Sequence, residues 1–162
     1  MNKRTSLFPS HEALDAKICS FAGYDMPIQY PTGVITEHEW VRNECGIFDV
    51  SHMGQVILKG PGTAEFISSI TPSSFLKTPH ARARYTVLTT PEGGIIDDLI
   101  ISRLDDDSFF LVINAACAEK DINWIKDCLA KSNFKDITLE ELNNRSLTVS
   151  YTHLRAHETR PY

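Results

Sequence analysis

The sequence predicts an α+β fold in which helices cover an antiparallel sheet. Two observations support this class. Apolar β-type segments follow one another between short turns in residues 85–113, and amphipathic helical patterns lie on both sides of that stretch. Consecutive strands joined by short turns pair antiparallel, whereas parallel strands need a long crossover between them. The length of 162 residues suits one domain that can bury a sizeable core.

The N-terminal third of the chain is predicted to contain two helices. Ser10 is placed to cap the first of them. The second opens at a capping box formed by Thr36 and Glu39, and Gly46 stands where a left-handed cap would end it. Between the helices, residues 21–30 are expected to form short extended pieces and turns, because Gly and Pro interrupt this aromatic segment.

The middle of the chain supplies the predicted sheet. A strand over residues 55–59 is followed by a helix that opens at Pro61 and stops before Pro72. Three strands then form an antiparallel meander, at residues 85–90, 95–103 and 109–113. A helix over residues 119–131 carries apolar side chains at helical spacing, and two short extended pieces follow it.

Two adjacent carboxylates, Asp97 and Asp98, lie in the central strand of this meander. Aspartate is depleted in strands, and burying its charge is costly without hydrogen bonds or a partner. Because side chains alternate along a strand, Asp97 shares a face with Ile95 and Leu99. Asp98 shares the opposite face with Ile100, so the two carboxylates cannot form a dyad that shares a proton. We expect at least one of them to meet a ligand; the alternative is that both satisfy the backbone of the local turn.

Composition and cysteine spacing exclude several classes of function. The net charge of -5 gives no general attraction to nucleic acid or to an anionic membrane. No zinc site or disulfide framework is indicated, because no C-x-x-C pair or nearby histidine accompanies Cys19, Cys45, Cys117 and Cys128. The N-terminus lacks the apolar segment of a signal peptide, and no apolar run is long enough to span a membrane. We therefore expect a cytoplasmic protein without a metal.

Four motifs identify a family. FAGYDMPIQY, GIFDVSHMGQVILKGP, YTVLTTPEGGIIDDLII and LVINAACAEKDINWI, in this order and spacing, closely resemble the aminomethyltransferase (T-protein) family of the glycine cleavage system. The resemblance extends from about residue 5 to residue 149. Related folate-binding domains share parts of these motifs, but the four in register, with DVSHMG intact, are highly specific. The resemblance implies an incomplete N-terminal part of the aminomethyltransferase folate-binding fold.

The activity implied by the resemblance is a one-carbon transfer to tetrahydrofolate. The family takes an aminomethyl group from the reduced lipoyl arm of the H-protein. It releases ammonia and leaves 5,10-methylenetetrahydrofolate and the dihydrolipoyl protein. The implied cofactors are tetrahydrofolate, as the one-carbon acceptor, and the lipoyl group, and the implied partner protein is the lipoylated H-protein.

Two other functions remain open. The first is a folate-binding module without transferase activity, of the type that assists iron–sulfur enzymes. The second is a folate-dependent demethylase domain fused to a flavin dehydrogenase. We do not expect the fused form, because it would carry a dinucleotide-binding segment upstream and this chain starts directly at Met1.

Five positions match residues that have roles in the family. By this match Asp98 is the catalytic carboxylate, which orients the attacking pterin amine and stabilises cationic character as ammonia departs. Met53 and Tyr85 match residues that pack on the folate. Ile100 matches a position that lines the pocket, and Asn114 matches one that hydrogen-bonds the pterin edge. Without the resemblance, Met53 and Tyr85 would be interpreted as core residues and Asn114 as a turn cap.

The domain boundary is predicted at residue 149. Residues 1–149 are assigned to the N-terminal part of the folate-binding domain. Residues 150–162, SYTHLRAHETRPY, are polar, lack an apolar period and resemble the translated read-through of a sequencing adapter. We expect this tail to make few contacts. The family's remaining folate and lipoyl contacts are absent from the chain, so function is assigned to the parent protein and the chain alone is expected to be inactive.

Overall fold

The computed structural model describes residues 2–155 and confirms the α+β class. Its helices are α1 (Phe8–Ala13), α2 (Val34–Asn43), α3 (Thr63–Ile70) and α4 (Ala118–Lys131). Its strands are β1 (Lys3–Arg4), β2 (Lys17–Phe21), β3 (Tyr24–Gln29), β4 (Cys45–Asp49), β5 (Gly54–Lys59), β6 (Ala83–Thr89), β7 (Ile95–Asp105), β8 (Ser108–Ile113), β9 (Thr138–Glu141) and β10 (Thr148–Thr152). None of the helices in this part of the chain is both long and apolar enough to cross a membrane.

The chain divides into two compact units, Met1–His52 with Asn144–Tyr162, and Met53–Asn143. The first unit contains a three-stranded sheet in the order β1-β3-β2 and a pair formed by β4 and β10, together with α1 and α2. The second unit contains a five-stranded sheet in the order β6-β7-β8-β5-β9, together with α3 and α4. All five residues that match functional positions of the family belong to the second unit.

The core of the second unit joins its sheet to its two helices. Fully buried side chains from strands and helices meet there, among them Val56, Leu58, Phe66, Ile67, Leu111, Ile113 and Ile125. Burying one such side chain contributes roughly 1.5–3 kcal/mol, so this core holds the helices on the sheet. The predicted meander is confirmed, because β7 lies between β6 and β8 and pairs antiparallel with both.

The predicted starts of the two N-terminal helices are wrong. Ser10 lies inside α1, which begins two residues earlier and carries Pro9 in its first turn. Proline suits that position because its missing N–H has no partner in the first turn of a helix. α2 begins directly after Gly33, at a positive φ of 83°, and no side chain caps it. Thr36 therefore lies within the helix and does not form a capping box.

Gly46 was predicted to end α2 in a left-handed conformation. It lies in β4 instead. A Cβ atom at this position would lie 2.5 Å from Cγ2 of Val41 and 3.3 Å from the ring of Phe48. Glycine is needed here because α2 and β4 approach each other closely. Sequence inspection found the glycine, but the contact that requires it arises only from tertiary packing.

β10 continues past the predicted domain boundary, through Thr152, and pairs antiparallel with β4. Within the first unit, the ring of Tyr151 packs edge-on against that of Phe48, with 5.6 Å between their centroids. The expectation of few contacts is therefore wrong for residues 150–154 of the tail. Residues 156–162 of the predicted tail lie outside the described residues. The resemblance of the tail to adapter read-through stays a prediction.

Candidate functional site

The candidate site lies on the face of the five-stranded sheet that points away from the core. In β7, Leu99 and Ile101 are buried, whereas Ile100 between them is 43% exposed. Ile100 pairs with Tyr85 of β6, which is 68% exposed, and with Val112 of β8. Paired residues of neighbouring antiparallel strands have their side chains on the same face. These three side chains therefore form a row across an open face.

Asp98 lies on the same open face, two residues before Ile100, and pairs with Val87. The side-chain amide of Asn114 donates to Oδ1 of Asp98 at 3.0 Å and to its backbone carbonyl at 3.1 Å. The Asp98 carboxylate raises the pKa of the neighbouring Tyr85 phenol. Asn114 and Tyr85 are both neutral, so they leave the charge of the carboxylate in place.

Met53 lies at the same end of the sheet as Asn114. Gly54 pairs with Ile113. Met53, which precedes Gly54, and Asn114, which follows Ile113, therefore lie side by side. Met53 is half-buried in the bend that opens β5. A Cβ atom at Gly54 would lie 3.0 Å from Cβ of Ala118. Glycine therefore allows the start of α4 to approach β5 closely beside the candidate site.

The structure brings all five sequence-predicted positions onto neighbouring strands or strand ends of one sheet: Met53, Tyr85, Asp98, Ile100 and Asn114. Tyr85 and Ile100 are not core residues, because more than two fifths of each is exposed. Asn114 follows its strand, as a turn cap would, but its amide donates to Asp98. The catalytic and folate-binding roles of the five residues stay predictions.

Asp97 faces the core side of β7, as the alternation predicts. Its Oδ1 accepts hydrogen bonds from the backbone N–H of Asp98 at 2.9 Å and from the amide of Asn114 at 3.3 Å. Burial raises the pKa of Asp97, but the two donors above and the neighbouring Cys117 and Asp121 side chains together lower it by more. The net result is a pKa below the ordinary value, so Asp97 is held as a carboxylate.

The predicted alternation fails at the start of β7. Ile95, which was expected to share the face of Asp97, is 71% exposed, whereas Ile96 packs against the core. Leu88 pairs with Asp97 and Thr89 pairs with Ile95, so Ile96 is an extra residue in the ladder. A bulge of this kind shifts the facing of the residues before it by one position.

Two residues of the α4 start, Cys117 and Asp121, were missed by sequence reasoning. Their donor atoms and a carboxylate oxygen of Asp97 all lie within 4.8 Å of one another, so the three residues could hold a cation. Burial raises the pKa of Asp121 to about 6, and the nearby Asp97 adds to the shift. The only sequence signal was their spacing of four residues, which places two side chains on one face of a helix.

The chain was compared with known proteins. The GCVT N-terminal domain model matches residues 7–150. The chain is similar to an aminomethyltransferase of Prosthecochloris aestuarii, at 47% identity over 138 residues, covering 85% of this chain and 37% of the relative. It is also similar to an aminomethyltransferase of Chlorobium chlorochromatii, at 44% identity over 143 residues, covering 88% of this chain and 38% of the relative.

Among solved structures, the chain resembles the crystal structure of glycine cleavage system aminomethyltransferase T from Bartonella henselae. The TM-score is 0.86 at 34% identity, and the match covers 94% of this chain and 41% of that chain. The chain therefore spans about two fifths of the length of these relatives. Because the family model covers most of the sequence and the fold agrees, this chain belongs to the GCVT N-terminal domain family.

Proposed function

We propose that this chain provides the folate-facing surface and the key carboxylate of a tetrahydrofolate-dependent aminomethyltransferase of the glycine cleavage system. The whole protein would take the aminomethyl group from the dihydrolipoyl arm of the H-protein and release ammonia. Its products would be 5,10-methylenetetrahydrofolate and the dihydrolipoyl H-protein. The observation that carries this proposal is the carboxylate of Asp98, which the neutral amide of Asn114 orients on an open sheet face beside the phenol of Tyr85.

The side chains of the open face suit the chemistry of a reduced pterin. Tyr85 and Ile100 expose flat or apolar surface beside a charged oxygen, and exposed apolar surface of this kind marks a binding site. A pterin combines a flat ring with N–H groups at its edge. The ring would pack on the apolar side chains, including Met53, and the N–H groups would donate to Asp98 and to the amide oxygen of Asn114.

The proposed contribution of Asp98 is electrostatic. Tetrahydrofolate, when bound, supplies the amine nitrogens that take up the one-carbon unit. The Asp98 carboxylate would orient the attacking amine and stabilise positive charge that develops as ammonia leaves. The nearby Asp98 carboxylate raises the pKa of Tyr85, so the phenol stays protonated. Because the amide of Asn114 already orients the Asp98 carboxylate, that carboxylate need not reorient during the reaction.

The transferase proposal is favoured over the two alternatives by the relatives, since those reported above are named aminomethyltransferases. Lipoylated H-protein as partner, tetrahydrofolate as acceptor and the cytoplasm as location are part of the same proposal. A folate-binding module would bind the pterin without turnover. A demethylase domain would act on methylated amino acids, so the choice of donor substrate separates it from the transferase.

The test uses a chimaera in which residues 7–150 of this chain replace the matching segment of the Prosthecochloris aestuarii aminomethyltransferase. We expect single-turnover transfer from aminomethylated H-protein to tetrahydrofolate in the chimaera and none in the 162-residue chain alone. The unmodified relative is the positive control. Binding of tetrahydrofolate by a folded chimaera without any transfer would favour the non-catalytic module, and one-carbon transfer from dimethylglycine would favour the demethylase.

A further inference from the structure

A second carboxylate lies behind the open face, against Asp97. Asp121 belongs to the first turn of α4, and its side chain is only 1% exposed. One of its oxygens, one oxygen of Asp97 and Sγ of Cys117 all lie within 4.8 Å of one another. This carboxyl pair joins β7 to α4 on the core side of the sheet, directly beneath Asp98.

The hydrogen bonds of this pair are incomplete if both carboxylates are ionised. Neither oxygen of Asp121 accepts a hydrogen bond, and the buried Oδ2 of Asp97 accepts none either. Two ionised carboxylates can only accept hydrogen bonds, and their charges repel in a buried site. One proton placed between them removes the repulsion and gives each residue a partner, with Asp121 donating to Asp97.

The surrounding groups favour a proton over a divalent metal ion. Nζ of Lys120 lies 3.4 Å from Oδ1 of Asp121 and donates to the carbonyl of Ile96 at 3.0 Å, so an ammonium group already stands beside the pair. The neighbouring Asp97 carboxylate raises the pKa of Cys117, which keeps the sulfur protonated. The titratable groups beside Asp121 are thus Asp97 from β7, Cys117 directly before α4, and Lys120 from α4.

We infer that Asp121 is a positioning residue, which shares one proton with Asp97 and thereby fixes the carboxylate that anchors Asn114 beside Asp98. The chain of contacts is continuous. Asp97 Oδ1 accepts from the amide of Asn114 at 3.3 Å, and the same amide donates to Oδ1 of Asp98 at 3.0 Å. The catalytic importance of Asp98 rests on the proposed function. The proton shared by Asp97 and Asp121 does not depend on that function.

The opposite pKa shifts of the two residues agree with this arrangement. Burial first, and Asp97 second, raise the pKa of Asp121 to about 6, while the hydrogen bonds to Asp97 lower that of Asp97. The pair therefore takes up its shared proton as the pH falls through about 6, and the proton resides on Asp121.

The test follows carboxyl and amide signals of the isotopically labelled 162-residue chain by NMR as the pH is varied. We expect the Asp121 carboxyl signal to titrate near pH 6, and the side-chain amide signals of Asn114 to shift with the same midpoint. In Asp121→Asn the new amide can donate to Asp97 at every pH, so the Asn114 step should disappear. Asp127→Asn, at an exposed position of the same helix, should retain the step.

Two results would overturn the inference. The first is an Asp121 signal that titrates near pH 4, as an exposed aspartate does, or an Asn114 step that persists in Asp121→Asn. The second is saturable binding of Zn²⁺ or Mg²⁺ at micromolar concentration that shifts the Asp97 and Asp121 signals, because the pair would then be a metal site. The titration of the wild-type chain shows whether Asp97 and Asp121 share a proton, even if the variant fails to fold.

The titration needs no folate, so the two proposals can fail separately. In a calorimetric titration of the chimaera with 5-formyltetrahydrofolate, absence of binding would count against the proposed function alone if the 162-residue chain shows the coupled titration. In the same chimaera, Asp121→Ala, which removes the donor, should weaken folate binding about tenfold relative to Asp121→Asn. Equal affinities of the two variants would contradict a positioning role.

Discussion

Asp98 combines a negative charge, partial exposure and a hydrogen bond from a side chain at the end of the neighbouring strand. It lies on an open face beside the exposed phenol of Tyr85, and the half-buried amide of Asn114 donates a hydrogen bond to its carboxylate. Its neighbour Asp97 has the opposite environment, since its bonds go to the backbone of β7 and to groups of α4. Adjacent carboxylates on one strand therefore have different predicted roles.

Asp98→Asn tests the catalytic role. This change keeps the size of the side chain but removes its charge, so single-turnover aminomethyl transfer in the chimaera should fall by roughly 10²-fold or more. The melting temperature should change little, because the residue is only partly buried. Asp127→Asn is the matched control for an aspartate that lies away from the site. A folded Asp98→Asn chimaera with full activity would disprove the assigned role.

Asp97→Ala tests the structural role of the second carboxylate. The change leaves the N–H of Asp98 without its acceptor and should lower the free energy of unfolding by about 1–3 kcal/mol. Asp97→Asn should be milder, because its amide oxygen can still accept from Asp98 while its NH₂ group donates to Asp121. Urea denaturation of both variants measures the difference. Equal losses in Ala and Asn would show that the hydrogen bond is not the cause.

At the scale of elements, the start of α4 must approach β5 closely for the site to form. Gly54→Ala would place a methyl group 3.0 Å from Cβ of Ala118 and 3.3 Å from Cβ of Ile113. We expect a loss of about 1–3 kcal/mol, typical of overpacking. Glu119→Gln, an exposed change on the same helix, is the control. Unchanged stability in thermal unfolding of Gly54→Ala would mean that α4 can move away without cost.

The structure shows a strand, β10, where the sequence predicted the boundary between the domain and a tail with few contacts. Truncation after Val149 removes three backbone pairings with β4 and the contact of Tyr151 with Phe48, so unfolding of the first unit should become easier by about 1–3 kcal/mol. Truncation after Arg155 keeps the described strand and serves as the control. If the two truncated chains unfold at the same temperature, residues 150–155 make no net contribution to the fold.

For the whole molecule, the shifted pKa values of three carboxyl groups predict how the free energy of unfolding depends on pH. The pKa of Asp121 is raised to about 6 in the folded chain, so its contribution is complete below about pH 4 and is lost as the pH rises through 6. The loss should be on the order of 3 kcal/mol. Asp49 and Asp97, whose pKa values are lowered, act in the opposite sense and lose their contribution as the pH falls below about 4.

Urea midpoints measured from about pH 4.5 to 8 check this prediction, and Asp121→Asn isolates the raised group. We expect this variant to lack the fall in stability between about pH 4.5 and 6.5 that the wild-type chain shows. Asp127→Asn should follow the wild-type curve. An identical fall in Asp121→Asn would assign the pH dependence to another group.

Much of the second unit could be predicted because its signals are local. Period-2 alternation identified the meander and placed Asp97 and Asp98 on opposite faces, and helical spacing identified the stripe of α4 that enters the core. These patterns depend on residues only a few positions apart, which a sequence displays directly. The motif resemblance added the five site positions, whose placement on one sheet then followed from the topology.

The sequence by itself thus determined the fold class, the strand that carries the carboxylates and the family. Tertiary structure alone decided the partners: Asp121 lies 24 positions from Asp97, and Asn114 lies 16 positions from Asp98. It also decided why Gly46 is required and why Ile96 turns inward, because both depend on neighbouring elements. Periodicity fixes the face on which a side chain lies, but only the packed fold brings together groups that are far apart in the chain.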